Sequence, residues 1–229
     1  MTGLTLIGFG TVGKVVLDLF INNKEFYLEA IVVSKGLEDT IPSDLTHIAI
    51  PWDDFISGKS RNYFVCIGYQ ELNAMRQEIF SLALEQGHTP VSLVHERSFV
   101  SKSANLGKGI LLMPNVTIEN NSNIGDGSFV WSGTVVGHDS CIGNFSFLSA
   151  NVSIGGGAKL GDNCVVGLGA TIGNRVLIGD RSLLGAGILI TRSIASDSVL
   201  VRVEEKPLDW PSSEFLKLTN FDQIKDQNN

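Results

Sequence analysis

No stretch of the 229 residues approaches the roughly 18 unbroken apolar residues that a membrane-spanning helix requires, and Met1-Thr2-Gly3 lacks the basic start of a secretory signal. A soluble cytoplasmic protein is the expectation. Basic residues are scarce as well: 17 Lys and Arg stand against 24 Asp and Glu, for a formal net charge of -7. Nucleic-acid binding needs clustered cations, so that partner class is excluded. Cysteine is limited to Cys66, Cys141 and Cys164, an odd set without CxxC or CxxH spacing, which suggests neither a disulfide framework nor a metal site. All three read as small buried hydrophobes. The sequons at Asn115, Asn144 and Asn151 read as turns. Only one of the four histidines, His138, lies beyond residue 95.

What is present falls into two halves. From Leu4 to Val94, short apolar runs alternate with helical segments, as in an α/β unit. Strands are expected at Leu4 to Ile7, Ala30 to Val33, Tyr63 to Ile67 and Val91 to Val94. Helices are expected over about Val12 to Ile21 and Asn73 to Gln86, the second stopped by Gly87. The stretch from Gly36 to Ser60, with Pro42, Pro51 and Gly58, reads as loop-rich.

Beyond Val94 the pattern becomes a strict period of six. Val100, Leu106, Leu112, Ile118, Ile124, Val130, Val136, Ile142, Leu148, Ile154, Leu160, Val166, Ile172, Ile178, Leu184 and Ile190 are aliphatic without an insertion between them. Glycine follows ten of them, and the fourth position on is usually small or β-branched, as at Ala104, Ser122, Ser128, Ser140 and Ala170. A helix has period 3.6 and an exposed strand period 2, so neither produces this pattern. One short strand per hexad, three hexads to a triangular coil and coils stacked on one another would bury the aliphatic columns along one axis. Glycine would relieve the corners.

Hexads of this form resemble those of the hexapeptide-repeat acyltransferases. Gly8-Phe9-Gly10-Thr11-Val12-Gly13-Lys14-Val15, Phe64-Val65-Cys66-Ile67-Gly68, Gly109-Ile110-Leu111-Leu112-Met113-Pro114 and His138-Asp139 before Ile142-Gly143 are similar to the sialic-acid O-acetyltransferase-like (NeuD) family, over about Leu4 to Ala195. The resemblance implies an α/β N-terminal Rossmann-like domain (1–97), a left-handed parallel β-helix (98–195) and a short C-terminal segment and tail (196–229). The left hand comes from the family alone, because ordinary parallel crossovers are right-handed. It also implies a homotrimer with each active site between two prisms. His138 would act as general base toward a sugar amine, with Asp139 supporting the ring. The amine would attack the thioester of acetyl-CoA or another acyl-CoA, with no metal involved. Gly156, three hexads after His138, is either the backbone donor to the thioester carbonyl or one of a flexible Gly155-Gly156-Gly157 corner. Phe147, where the family often carries a second histidine, together with Leu168 and Ala186, would contact coenzyme A.

Gly8, Gly10 and Gly13 form GxGxxG between a strand and a helix. A dinucleotide site also wants an acid after the second strand, and Ser34-Lys35 stands there instead, so NAD is disfavoured. The resemblance instead makes Gly8, Gly10, Thr11, Val12, Gly13, Ser34 and Lys35 the contacts of a nucleotide-linked amino sugar. A tight strand-to-helix turn with no ligand is the other reading. The function so implied is N-acylation of such a sugar for surface polysaccharide or glycan synthesis, the nearest alternative being O-acetylation of a sugar hydroxyl. A carbonic-anhydrase-like metalloenzyme would need three histidine ligands, and a non-catalytic β-helix scaffold would need none. The usual Gly-x-Pro-Ala ending is replaced by Val201-Arg202-Val203-Glu204-Glu205-Lys206-Pro207. One short helix is expected in the tail, begun by Ser212 or Ser213.

Overall fold

The computed structural model describes residues 2–21, 26–33 and 41–202. Ser34, Lys35 and the expected helix after Ser212 or Ser213 lie outside the described residues.

The N-terminal unit is a five-stranded parallel sheet. Its strands are β1 (Thr2–Ile7), β2 (Phe26–Val33), β3 (Ala49–Pro51), β4 (Asn62–Val65) and β5 (Thr89–Pro90), in the order β3-β2-β1-β4-β5. The expected strands are there, β2 four residues longer than the apolar run suggested. β3 and α2 (Trp52–Ile56) come from the stretch read as loop. α1 (Thr11–Val16) continues as a wider π-turn over Leu17–Ile21, and α3 (Ala74–Glu85) ends at Gly87, whose φ of +84° suits the C-terminal glycine. Alternation along the strands sends Leu4, Leu6 and Phe64 to one core, and Ile7, Tyr63 and Val65 to another beneath Phe55 and Phe80. The expected strand at Val91 to Val94 divides. Thr89–Pro90 closes the α/β sheet, whereas Leu93–Val94 already pairs with Leu111–Leu112 in the second unit.

From Leu93 onward the chain forms a three-sided prism of two-residue parallel strands. Its sides are sheets of seven, six and five strands, and successive rungs are eighteen residues apart, as in Thr117 with Val135 and Cys141 with Lys159. Three hexads per coil are therefore observed. Val130, Val136, Leu148 and Val166 are fully buried in the columns. Burying such a side chain contributes about 1.5–3 kcal/mol relative to leaving it exposed. Inward hydroxyls are satisfied one coil on: Ser122, Ser128 and Ser140 donate to the carbonyls of Gly137, Gly143 and Gly155. After Ile190 the register shortens, Val199–Leu200 pairing with Leu183–Leu184, so the prism extends past Ala195.

One expectation about the corners is corrected. The glycine after each aliphatic residue is not the residue that turns the chain. The left-handed conformation falls two places later, at Asn115, Asn121, Asp139, Asn151 and Asn163 with φ from 56° to 61°, at glycines such as Gly127 and Gly157, and also at Phe145, Arg175 and Arg181. Asn and Asp tolerate that region best after glycine. The first glycine is needed for close stacking instead: a Cβ on Gly125 would lie 2.6 Å from backbone atoms of Gly143 and Asn144. Cys66 and Cys164 are buried as expected, but Cys141 is only half-buried because it points outward from its strand.

The α/β unit covers the seven-stranded side. Leu111, Phe129, Phe147 and Val165 point outward there and are buried beneath it. Phe64 stacks on Phe129 at 5.5 Å, so the two halves share one continuous core.

Candidate active site

His138 lies at the corner between strands Val135–Val136 and Cys141–Ile142, directly across the triangle from the covered side. Asp139 follows with φ 58°, and this left-handed turn brings its carboxylate back onto its neighbour: Oδ2 is 2.8 Å from His138 Nδ1. Asn121, one coil earlier, donates to the other carboxylate oxygen at 3.1 Å, and Glu119 accepts from the His138 backbone N–H at 2.8 Å. The histidine hydrogen bond, followed by that from Asn121, holds the Asp139 carboxyl below the usual carboxylate range. An ionised Asp139 accepts from Nδ1–H, which leaves Nε2 as the basic nitrogen.

Nε2 faces Gly156. A Cβ on that glycine would come within 2.5 Å of it, so glycine is required for the ring to lie where it does. The Gly156 N–H donates to no described residue, whereas its carbonyl accepts from Arg175. Together with Gly157, Asn174 and Arg175, these groups line an open cleft of about 320 Å³. A base with a fixed tautomer and a free backbone donor thus share one small space.

A larger cavity, about 1140 Å³, opens at the carboxyl ends of β1 and β4, where the strand order reverses and parallel sheets usually bind ligands. Gly8, Phe9, Gly10, Thr11 and Val12 form one edge, Ile67 to Glu71 another, and Trp131 and Phe147 of the prism the floor. The three glycines differ in what the fold asks of them. Gly8 has φ +88°, and a Cβ on Gly13 would be 2.9 Å from the Gly8 carbonyl oxygen, so both serve the turn itself. A Cβ on Gly10 would meet nothing within 4 Å. The fold does not need glycine there. The backbone N–H groups of Gly10, Thr11 and Val12 donate to no described residue. Cys66 also lines this cavity, but burial pushes its thiol pKa up, and it serves as packing.

The structure brings His138, Asp139 and Gly156 together, and separately groups Gly8, Gly10, Thr11, Val12 and Phe147. The cleft and the cavity share no lining residue. Phe147 lies on the cavity floor, with the Tyr69 ring edge-on at 5.1 Å, and not in the cleft of its own chain. Leu168 and Ala186 are exposed on a third corner, eighteen residues apart and away from His138. Sequence reasoning missed Glu119, Asn121, Trp131 and Arg175. Counting back eighteen from Asp139 finds Asn121; Trp131 carries no comparable signal. Among the described residues no group of three or more His, Cys, Asp or Glu is placed to hold a metal ion, and no helix is long and apolar enough to cross a membrane.

Two family models match the coils: the bacterial transferase hexapeptide (six repeats) over residues 139–174, and the hexapeptide repeat of succinyl-transferase over residues 115–155. The acetyltransferase domain of PglB from Neisseria gonorrhoeae is 24% identical over 91% of this chain and 100% of that one, with a TM-score of 0.75. PerB from Caulobacter crescentus, solved with CoA and GDP-perosamine, is 28% identical over 90% of this chain and 98% of that one, with a TM-score of 0.68. WeeI from Acinetobacter baumannii is 22% identical over 88% and 97%, with a TM-score of 0.69. The sequence matches no curated protein. The prism is accordingly a left-handed β-helix behind an α/β unit, and the enzyme class is acyltransferase, as the resemblance implied.

Proposed function

We propose that this acyltransferase moves an acetyl group from acetyl-CoA to the amino group of a nucleotide-linked amino sugar, with His138 as general base. The observation that carries the reading is the His138 ring, tied to Asp139 through Nδ1 and presenting Nε2 to Gly156, whose N–H donates to no described residue. The neutral amine attacks the thioester carbonyl carbon, and Nε2 takes the ammonium proton that develops. The carbonyl oxygen becomes an oxyanion within reach of the Gly156 N–H. Collapse then expels the coenzyme A thiolate, and the imidazolium returns the proton to sulfur. Asp139 keeps the tautomer and stabilises the imidazolium. PerB, with CoA and GDP-perosamine bound, supports this choice of donor and acceptor.

The cavity at the glycine turn suits the acceptor. Its volume exceeds what a thioester needs, it lies at the strand switch point, and Gly10 leaves room for a diphosphate to approach the free N–H groups. Because that cavity and the His138 corner lie on opposite sides of one prism, the cavity of one copy would face the histidine of the next in a homotrimer. Phe147, on the cavity floor, would then meet the donor bound along the neighbouring corner. This reading suits a cytoplasmic step in surface polysaccharide or glycan synthesis. The test is release of free thiol from acetyl-CoA across UDP-, dTDP- and GDP-linked amino sugars. Turnover of one of them is expected, and turnover only with hydroxyl-bearing sugars lacking an amine would replace N-acylation by O-acylation.

A further inference from the structure

Arg76 is only 1% exposed, although it lies on a helix of the α/β unit and has no carboxylate partner among the described residues. Arginine is rarely buried so fully unless it is paired. Here every donor direction ends on an oxygen. Nε donates to the Gly127 carbonyl at 3.0 Å, Nη1 to the carbonyls of Ile67 and Gly68, and Nη2 to Asn73 Oδ1 and the Phe145 carbonyl, both at 2.9 Å. The guanidinium plane also lies 4.2 Å over the Phe129 ring. Burial pushes its pKa down to about 9, so it remains a cation at neutral pH. An apolar side chain of similar volume would leave these oxygens without their donor, at a cost for each. The five-donor fork thus fixes the spacing of the groups it joins.

That geometry joins three things. Gly127 and Phe145 belong to adjacent coils of the prism. Ile67 and Gly68 leave β4 and form a wall of the large cavity. Asn73 closes a turn in which Glu71, Leu72 and Asn73 all have left-handed φ values, 50°, 50° and 68°. Three consecutive non-glycine residues in that region cost energy and persist only where their surroundings hold them. The surroundings here are the prism: Asn73 Nδ2 donates to the Cys164 carbonyl at 3.2 Å and Asn163 Nδ2 to the Leu72 carbonyl at 3.4 Å. Tyr69, Gln70 and Glu71, between the two anchored ends, line the cavity opposite Trp131 and Phe147.

We propose that Arg76 and Asn73 are positioning residues for the acceptor, fixing the gap between the cavity wall at 67–71 and the floor on the prism. The inference rests on reading this cavity as the sugar-nucleotide site. Neither residue touches the His138 cleft, so their loss acts on the acceptor alone.

The experiment compares the wild-type trimeric or monomeric enzyme, as purified, with Arg76→Lys and Asn73→Gly. Lysine keeps the charge but cannot span five acceptors. Glycine adopts the left-handed turn without cost, so Asn73→Gly folds while losing both amide bonds. Initial rates are measured with acetyl-CoA and whichever of the UDP-, dTDP- or GDP-linked amino sugars the wild type turns over. A displaced wall raises KM for the sugar nucleotide about tenfold or more, with KM for acetyl-CoA and kcat near wild type. If the wild type turns over none of these sugars, the reading of the cavity falls and this inference with it. If the wild type is active and Asn73→Gly keeps its acceptor KM, or if both KM values rise together, the inference alone is overturned and the cluster merely holds the fold.

Discussion

Replacing His138 by alanine separates catalysis from folding more cleanly than any other single change. The imidazole is 58% exposed and makes one ring hydrogen bond, to an Asp139 that is itself 55% exposed. Val136 and Ile142, on the strands to either side, hold the aliphatic columns from buried positions. A surface change of this kind stays within about 0.5 kcal/mol of wild-type stability, which is about 1–2 °C in Tm for a chain of this size. Loss of a general base costs about 10² to 10⁴ in rate, or about 3–5 kcal/mol of barrier. The assay is thiol release with both substrates saturating, paired with a thermal melt of the same sample. Turnover within a few-fold of wild type would refute the assignment and leave catalysis to proximity and the Gly156 N–H. A melt lowered by ten degrees or more would refute the claim that the corner lies outside the core.

Four further outcomes are expected. Asp139 itself has a depressed pKa when folded, so its stabilising contact with His138 is present above about pH 4, the ordinary carboxylate value, and is lost as pH falls through the lower folded value; chemical-shift titration of its carboxyl carbon checks the sign. Gly156→Ala drives a methyl group to within 2.5 Å of Nε2, and kcat should fall about tenfold or more while the melt is nearly unchanged. A Cβ at Gly10 meets nothing within 4 Å, so for Gly10→Val calorimetry should show weaker sugar-nucleotide binding with coenzyme A binding intact, and light scattering of the wild type should give three times 24.7 kDa, not a monomer.

The prism was legible because its period has one physical solution. Sixteen aliphatic residues six apart can share an axis only if three short strands make each turn, and the observed rungs are eighteen residues apart throughout the regular coils. His138 stood out as the one histidine within them, and counting a single coil forward found Gly156 beneath its ring. The same count back from Asp139 reaches Asn121, a contact available from the sequence by arithmetic alone. Residues that act between the halves were not legible. Arg76 sits in an amphipathic segment where a basic residue reads as solvated, and its burial depends on how α3 meets two coils more than fifty residues away. The short β3 and α2 were hidden by Pro42, Pro51 and Gly58, because proline at a strand end or before a helix looks the same in sequence as proline in a loop.

Glycine shows where pattern and chemistry part. In the hexads its spacing looked like corner chemistry, yet the corners are turned two places later by Asn and Asp, by other glycines, and by Phe145, Arg175 and Arg181, while the periodic glycine admits the next coil. In the GxGxxG turn, spacing again makes three positions look alike. Gly8 is needed for its backbone angle and Gly13 for the carbonyl of Gly8, both demands of folding. Gly10 meets neither demand, since its φ is not left-handed and a Cβ there would meet nothing within 4 Å. Gly156 is tight against the His138 ring, whose Nε2 is the nearest atom to a Cβ placed there. A glycine that the fold does not need leaves space for a neighbour, and one that is tight only against a functional ring is tied to that ring. By this criterion Gly10 favours the proposed acceptor site and Gly156 the proposed thioester contact. The cavity beside Gly10 and the cleft beside Gly156 share no lining residue, so the proposed reaction would draw them from two copies.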